Sequence, residues 1–365
     1  MQKIPLSRPA MTEEMVKAAA DALSGERLVM GESVFKFEEE FARFIGTDHA
    51  VAVSSGTMAL QLAQLAAKVA GREVITTPLS FIATANSIVH AGGRPVFADV
   101  RMDDYNIDPE KVKMACGPST RAILPVHLFG NPCDMDPLLE ECRKHDLILI
   151  EDAAQAHGAV YKGKKVGSIG DLGCFSFYPT KNMTVGGDGG MVTTDSDKMA
   201  KAVAKLRDCG RISRYVHDEI GYTARLNTVN AAIGRIQLKY LEGWNERRTE
   251  IAGLYAKALK GIKRLRLPPP PSKEVVPVFH IFACRAERRD ELQSFLGGNG
   301  IETGVHYPVP IHLQPAYKKE YSYEEGSFPC SERLSKELIS LPMFPDLKDA
   351  QVSWIASKIL AFYDE

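Results

Sequence analysis

Apolar residues along this chain follow two rhythms. Short unbroken runs recur at Ala50-Val51-Ala52-Val53, Val74-Ile75, Pro95-Val96-Phe97-Ala98, Ile123-Leu124-Pro125-Val126, Leu147-Ile148-Leu149-Ile150 and Met191-Val192. Between them, apolar positions fall three and four residues apart. That spacing predicts helices over 11–24 (with Val16, Ala19, Ala20 and Leu23 on one side), from about Phe35 to Gly46 (Phe35, Phe37, Phe41, Phe44), and over 58–69, 81–91, 109–116 and 136–145. Another runs from about 195 to Arg207. Strands that are apolar throughout, rather than on alternate residues, are buried on both faces. Alternating with helices at short intervals, they predict a mostly parallel sheet covered on both sides. Ligands of such sheets sit beyond the carboxyl ends of the strands.

The rhythm changes after the last of these helices. Residues 208–226 are polar, with glycines and aromatics, and read as a long loop. A helical stretch follows from Val229 to about Lys260, with a break expected near Glu242. Leu267-Pro268-Pro269-Pro270-Pro271 is a stiff segment and a natural boundary. Beyond it the pattern predicts strands at 276–284 and 303–306, and helices around 290–296, 330–339 and 349–363. The expected organisation is a large domain over 1–261, including the N-terminal helical segment, and a small α+β domain over 262–365.

Composition removes several classes of function. The 365 residues carry a net charge of -1, so no basic excess points to nucleic acid. The seven cysteines are scattered with no CxxC pair, which indicates neither a zinc site nor a disulfide framework. No metal site is expected. The N-terminus has no long apolar core, and no run approaches the ~20 residues of a membrane helix. A soluble, cytoplasmic protein with reduced thiols is expected.

The chemistry concentrates between Leu147 and Gly190. Asp152 ends a buried strand and Gln155 follows it. Ser176 lies in a second apolar run, Gly173-Cys174-Phe175-Ser176-Phe177, and Lys181 comes just after it. Gly186-Gly187-Asp188-Gly189-Gly190 then lets the backbone approach a ligand closely. Earlier, Ser54-Ser55-Gly56-Thr57 turns a strand into a helix, a geometry that presents free N–H groups to an anion. Singly, each has a plain structural explanation. Asp152 reads as a strand-end cap, Lys181 as a solvated surface lysine and the Ser-Ser-Gly-Thr turn as an ordinary N-cap. Together, a lysine amine and a buried carboxylate suggest an imine-forming cofactor whose ring nitrogen needs a counter-charge, namely pyridoxal phosphate. Gln155 lies on the side from which it could reach the ring hydroxyl.

At this point the residues resemble a known family over nearly the whole chain. The matching segments are Ser55-Gly56-Thr57-Met58-Ala59-Leu60, His127-Leu128-Phe129-Gly130, Glu151-Asp152-Ala153-Ala154-Gln155-Ala156-His157-Gly158, Ser176-Phe177 with Lys181, Gly187-Asp188-Gly189-Gly190, Ala231-Ala232-Ile233-Gly234 and His306-Tyr307-Pro308-Val309-Pro310. In this order and spacing they resemble the DegT/DnrJ/EryC1/StrS family of pyridoxal-phosphate-dependent nucleotide-sugar aminotransferases. The resemblance implies fold type I, the aspartate aminotransferase fold, with a mostly parallel sheet of the seven-stranded type. It implies that Lys181 forms the Schiff base, Asp152 pairs with the ring nitrogen and Gln155 contacts the ring hydroxyl. Phe81 stands where the family stacks an aromatic ring on the cofactor, although the position alone reads as a helix-start core residue. Gly56, Thr57 and Ser176 would hold the phosphate. A homodimer with shared active sites is implied.

Two departures matter. Asp188 replaces the more usual glutamate of the glycine-rich turn, a change of one methylene. Thr223, in Gly221-Tyr222-Thr223-Ala224-Arg225-Leu226-Asn227, stands where the family usually has an asparagine reaching the neighbouring subunit's phosphate, and its hydroxyl has a shorter reach. His306 and Tyr307 fall on the family's substrate loop. Arg225-Leu226, Arg214-Tyr215-Val216-His217 and His306-Tyr307-Pro308 resemble members that aminate a 3-keto rather than a 4-keto sugar. The implied activity transfers an amino group from L-glutamate to a nucleotide-linked keto sugar, for amino-sugar or polysaccharide synthesis. Two rivals stay open. One is a pyridoxal-dependent sugar dehydratase, whose relatives carry histidine in place of Lys181. The other is a non-catalytic regulatory or binding protein, which predicts loss of the cofactor residues.

Overall fold

The apolar runs meet edge to edge in one seven-stranded sheet. In the computed structural model, which describes residues 3–364, its strands are β1 (His49–Val53), β2 (Glu73–Thr76), β3 (Arg94–Phe97), β4 (Thr120–Leu124), β5 (Ile148–Asp152), β6 (Leu172–Ser176) and β7 (Gly190–Thr194). They lie in the order β1-β7-β6-β5-β4-β2-β3. Only β7 runs against its neighbours, and every other adjacent pair is parallel.

Helices cover both faces, and alternation along each strand sorts the side chains between them. Val51, Val53, Cys174 and Val192 pack with α3 (Gly56–Ala66) and, further along the chain, the helix at Asp197–Leu206. The intervening Ala50, Ala52, Phe175 and Met191 meet Phe37 and Phe41 of the helix at Glu32–Ile45. In chain order the helices of this part are α1 (Glu13–Gly25), α2 (Glu32–Ile45), α3, α4 (Ala83–His90), α5 (Pro109–Ala115), α6 (Met135–His145), α7 (Asp197–Leu206) and α8 (Thr228–Ala258).

A second, antiparallel sheet is built from β8 (Leu265–Arg266), β9 (Phe282–Ala286) and β10 (Leu338–Leu341). With it go α9 (Arg289–Gly298), α10 (Pro315–Tyr321), α11 (Pro329–Glu337) and α12 (Asp349–Asp364). Their core takes in Ile4 from the N-terminal segment and Ile251, Ala252, Tyr255 and Leu259 from the end of α8.

Several expectations fail for identifiable reasons. Helix α8 runs unbroken through Glu242-Gly243 over 31 residues. Its first half packs into the large core through Ala231 and Leu241 and its second half into the other, so burial at both ends outweighs the local cost of glycine. The stretch expected as one strand over 276–284 is split. Val275–Val276 pairs with Val160–Tyr161 in a separate three-stranded ribbon, and β9 begins only at Phe282. Residues 303–306 form no strand, and only Gly304 bridges, to Ser340. The helix expected to reach Ile339 ends at Glu337, because Leu338–Leu341 is β10. On α1 the buried positions are Met15 and Ala22, whereas Val16 and Leu23 are exposed in the single chain. Phe35 of α2 is likewise exposed, and Phe81 precedes α4 rather than starting it.

Candidate active site

Strand β5 ends on two adjacent carboxylates that point opposite ways. Glu151 is buried and accepts four hydrogen bonds, from His127 Nε2 at 3.0 Å and from the N–H groups of Gly167, Ile169 and Gly170 at 2.7–2.8 Å. The Cys133 N–H donates to His127 Nδ1, which leaves the imidazole proton on Nε2, facing Glu151. Glu151 therefore ties down the loop before β6. Asp152, also buried, faces a cavity of about 540 Å³ at the carboxyl end of the sheet. Its Oδ2 accepts from Thr84 Oγ1 at 2.8 Å and its Oδ1 from the Ala154 N–H at 3.2 Å.

The cavity gathers residues from far apart in the chain. Gly56 and Thr57 enter it at the N-terminus of α3, where Ser55 is the N-cap and accepts from the Met58 N–H at 3.1 Å. The first N–H groups of such a helix have no intrahelical acceptor. Ser176, at the end of β6, lies directly against that turn. A Cβ added to Gly56 would stand 2.5 Å from Ser176 Cβ, and one added to Gly190 would stand 2.4 Å from the Ser55 carbonyl oxygen. Glycine is therefore required at both positions, and their close approach forms a small cradle beside a helix N-terminus.

Lys181 follows β6 through a short turn and lines the same cavity. Among the described residues its amine has no hydrogen-bond or ion-pair partner within contact distance. Burial pulls its pKa down to about 8, and the charge of Asp152 opposes that only in part. Burial pushes Asp152 the other way, upward, against the bonds from Thr84 and Ala154 and the charge of Lys181. For both groups desolvation exceeds their mutual attraction.

Gln155 is held at both ends, its Oε1 accepting from the Phe129 N–H at 2.7 Å and its Nε2 donating to Tyr307 Oη at 3.1 Å. The Phe81 ring is 57% exposed and lies 6.2 Å from the Tyr307 ring. His306 is fixed by Ser340 Oγ at 2.8 Å, and its pKa is pulled down to about 4 by burial and then by the charge of Lys181. Of the residues singled out in the sequence, Gly56, Thr57, Phe81, Asp152, Gln155, Ser176, Lys181, His306 and Tyr307 share this one cavity. Thr223 does not. It is exposed on the 208–226 loop, its hydroxyl 3.4 Å from Cys209 Sγ.

Three contributors were not legible in the sequence: Ser80, Thr84 and His280. Thr84 is indistinguishable by pattern from any helical threonine. His280 lies in an apolar run, with Nδ1 3.2 Å from Asn182 Oδ1, and burial holds its pKa far below the ordinary value. The Asn182 amide donates to Asn245 and to the Val278 carbonyl, so its oxygen accepts from His280 Nδ1 and the imidazole lone pair is on Nε2.

This fold, with a lysine and a buried carboxylate in one cleft, is that of an aminotransferase. The structure of Streptomyces venezuelae DesV in complex with a ketimine intermediate superposes with a TM-score of 0.96, at 38% identity over 100% of both chains. The PLP and PMP forms of the putative sugar aminotransferase Spr1654 from Streptococcus pneumoniae each give 0.93, at 26% identity over 99% of both chains. The chain belongs to the DegT/DnrJ/EryC1/StrS aminotransferase family, which matches residues 9–360. Among curated relatives, a Streptomyces venezuelae dTDP-3-amino-3,4,6-trideoxy-alpha-D-glucose transaminase is 43% identical over 92% of this chain and 88% of its own. A protein of Geobacillus stearothermophilus named a pleiotropic regulatory protein is 40% identical over 96% and 94%. An Acidithiobacillus ferrooxidans UDP-N-acetyl-3-dehydro-alpha-D-glucosamine 3-aminotransferase is 38% identical over 96% and 94%.

Proposed function

We propose that this aminotransferase uses pyridoxal phosphate to move an amino group from L-glutamate to a nucleotide-linked 3-keto sugar. The observation that carries the reading is the shared cavity of Lys181 and Asp152, one an amine without a partner among the described residues and the other a carboxylate fixed by two donors. The residues fit the cofactor. Gly56, Thr57 and Ser176 form a cradle that an extra Cβ would fill, at a helix N-terminus suited to a phosphate. Asp152 offers a counter-charge to a ring nitrogen, Gln155 retains one amide hydrogen for a ring hydroxyl, and Phe81 lines the cavity. When bound, pyridoxal phosphate supplies the electron sink that lets an amine change partners.

The chain's own part is proton management. With a pKa near 8, roughly a tenth of Lys181 amines are neutral at pH 7, against well under a thousandth for a solvated lysine. That neutral Nζ is the amine that would hold the cofactor, and when free it would be the base that takes a proton from substrate carbon and returns it. Lys181 argues against dehydration on this fold, where a histidine is expected. The retained site argues against a purely regulatory role, despite the name of one relative.

Further parts of the reading rest on family likeness. The enzyme is a homodimer in which Thr223 serves the neighbouring subunit's site, and His306 and Tyr307 face the sugar. Residues 1–261 carry the cofactor and 262–365 form most of the smaller domain, whose core around β9 and α12 also takes in Ile4 and the end of α8. Transfer to C3 is supported by two relatives named for 3-amino chemistry. Among the described residues no helix is long and apolar enough to cross a membrane, in keeping with a cytoplasmic enzyme. The test is a panel of nucleotide-linked 3-keto and 4-keto sugars with glutamate, following 2-oxoglutarate. Turnover of simple keto acids alone would contradict the substrate class.

A further inference from the structure

The buried side of Asp152 carries a chain of hydroxyls with no counterpart in the roles assigned so far. Ser80 Oγ lies 2.8 Å from Thr84 Oγ1, which lies 2.8 Å from Asp152 Oδ2. All three residues are at most 4% exposed, and they bond to one another at the wall of the cavity. Geometry alone leaves the direction of the first bond open, but chemistry closes it. An ionised carboxylate only accepts, so the single hydroxyl hydrogen of Thr84 is committed to Asp152. Ser80 must then donate to Thr84. The chain is one-way, and it ends on the carboxylate.

Thr84 is the second residue of α4, so its own helix offers no carbonyl three or four residues back for its hydroxyl. Here it reaches a residue 68 positions away instead. With the Ala154 N–H on Oδ1, each oxygen of Asp152 accepts one bond from the protein and keeps a free lone pair. The carboxylate is thereby pinned in one rotamer.

We propose that Ser80 and Thr84 are positioning residues whose donor chain fixes the Asp152 carboxylate and keeps the shared proton on the bound ring nitrogen rather than on Asp152. This rests on the pyridoxal phosphate reading above. Removing a donor from a buried carboxylate makes it more basic, so without Thr84 the proton moves to Asp152 and the ring becomes neutral. Two hydroxyls would thus set the electron demand of the bound cofactor through Asp152.

The test uses apoprotein reloaded with pyridoxal phosphate labelled with 15N at the ring, in wild type, Thr84→Val, Thr84→Ser and Ser80→Ala. The readouts are the 15N shift of the bound ring and cofactor affinity from fluorescence titration. Wild type and Thr84→Ser should show a protonated ring. Thr84→Val should show an unprotonated one with binding weakened about tenfold or more. Ser80→Ala should move both readouts the same way by less, and it carries the test if Thr84→Val does not fold. A wild-type shift and affinity in Thr84→Val, or in Ser80→Ala where that variant carries the test, would overturn the inference and leave the functional reading standing. A wild type that binds no pyridoxal phosphate would overturn both.

Discussion

The side-chain amide of Gln155 donates to the Tyr307 hydroxyl at 3.1 Å, joining the segment after β5 to the loop before α10, 152 residues later. The other end of the same amide satisfies the buried Phe129 N–H. Gln155 is therefore a structural bridge as well as a cavity residue. Gln155→Leu should cost about 1–3 kcal/mol by orphaning that N–H, whereas Tyr307→Phe removes one hydroxyl and should cost about 1 kcal/mol or less. Urea unfolding of the apoproteins ranks them. The reverse order would mean that the Phe129 bond carries no weight.

Adjacent carboxylates at the end of β5 should separate stability from chemistry. Glu151→Ala leaves four donors, two buried and two half-buried, without an acceptor and should destabilise by ~3–5 kcal/mol. Asp152→Asn should leave the melting temperature within a few degrees of wild type and abolish turnover. Burial works to raise the Glu151 pKa but is outweighed by the bonds from His127 and the loop amides, so the pKa lies below the ordinary value of 4.5. Its contribution is thus present above that value and is lost as pH falls through the depressed one. An acid-unfolding midpoint unchanged in Glu151→Gln would count against this role.

Lys181 should destabilise the apoprotein that needs it. Its folded pKa of about 8 lies below the ordinary 10.5, so between these values the unfolded chain binds more protons and stability rises with pH. Lys181→Met apoprotein should be more stable than wild type by ~1–3 kcal/mol at pH 7. The gap should close as pH approaches 10.5. Denaturant titrations across that range measure it, and a gap independent of pH would show that Lys181 is not desolvated.

Gly56→Ala tests the cradle. The new Cβ would stand 2.5 Å from Ser176 Cβ, closer than real contacts allow, so the β1–α3 turn must shift away from Ser176. Cofactor retention through gel filtration should fall by about tenfold or more, while the fold persists. Gly117→Ala, which meets open space, is the control. Equal retention in the two variants would remove the cradle from the site.

The sheet was legible because its strands are apolar on both faces, and the site because Gly56, Asp152, Ser176 and Lys181 each follow or end such a strand. What escaped has physical reasons. Leu338–Leu341 continues the apolar pattern of α11, and only pairing with β9 turns it into a strand. The unbroken α8 depends on two cores at once. Val16 and Leu23 look like a core stripe in sequence, but Met15 and Ala22 take that place. Thr84 becomes informative only when the fold brings it to Asp152.

Borohydride reduction of the protein with pyridoxal phosphate, followed by peptide mapping, tests the central claim most directly. One phosphopyridoxyl group should be found on the peptide containing Lys181, and none should form in Lys181→Ala. An adduct on a different lysine, or no adduct, would contradict it.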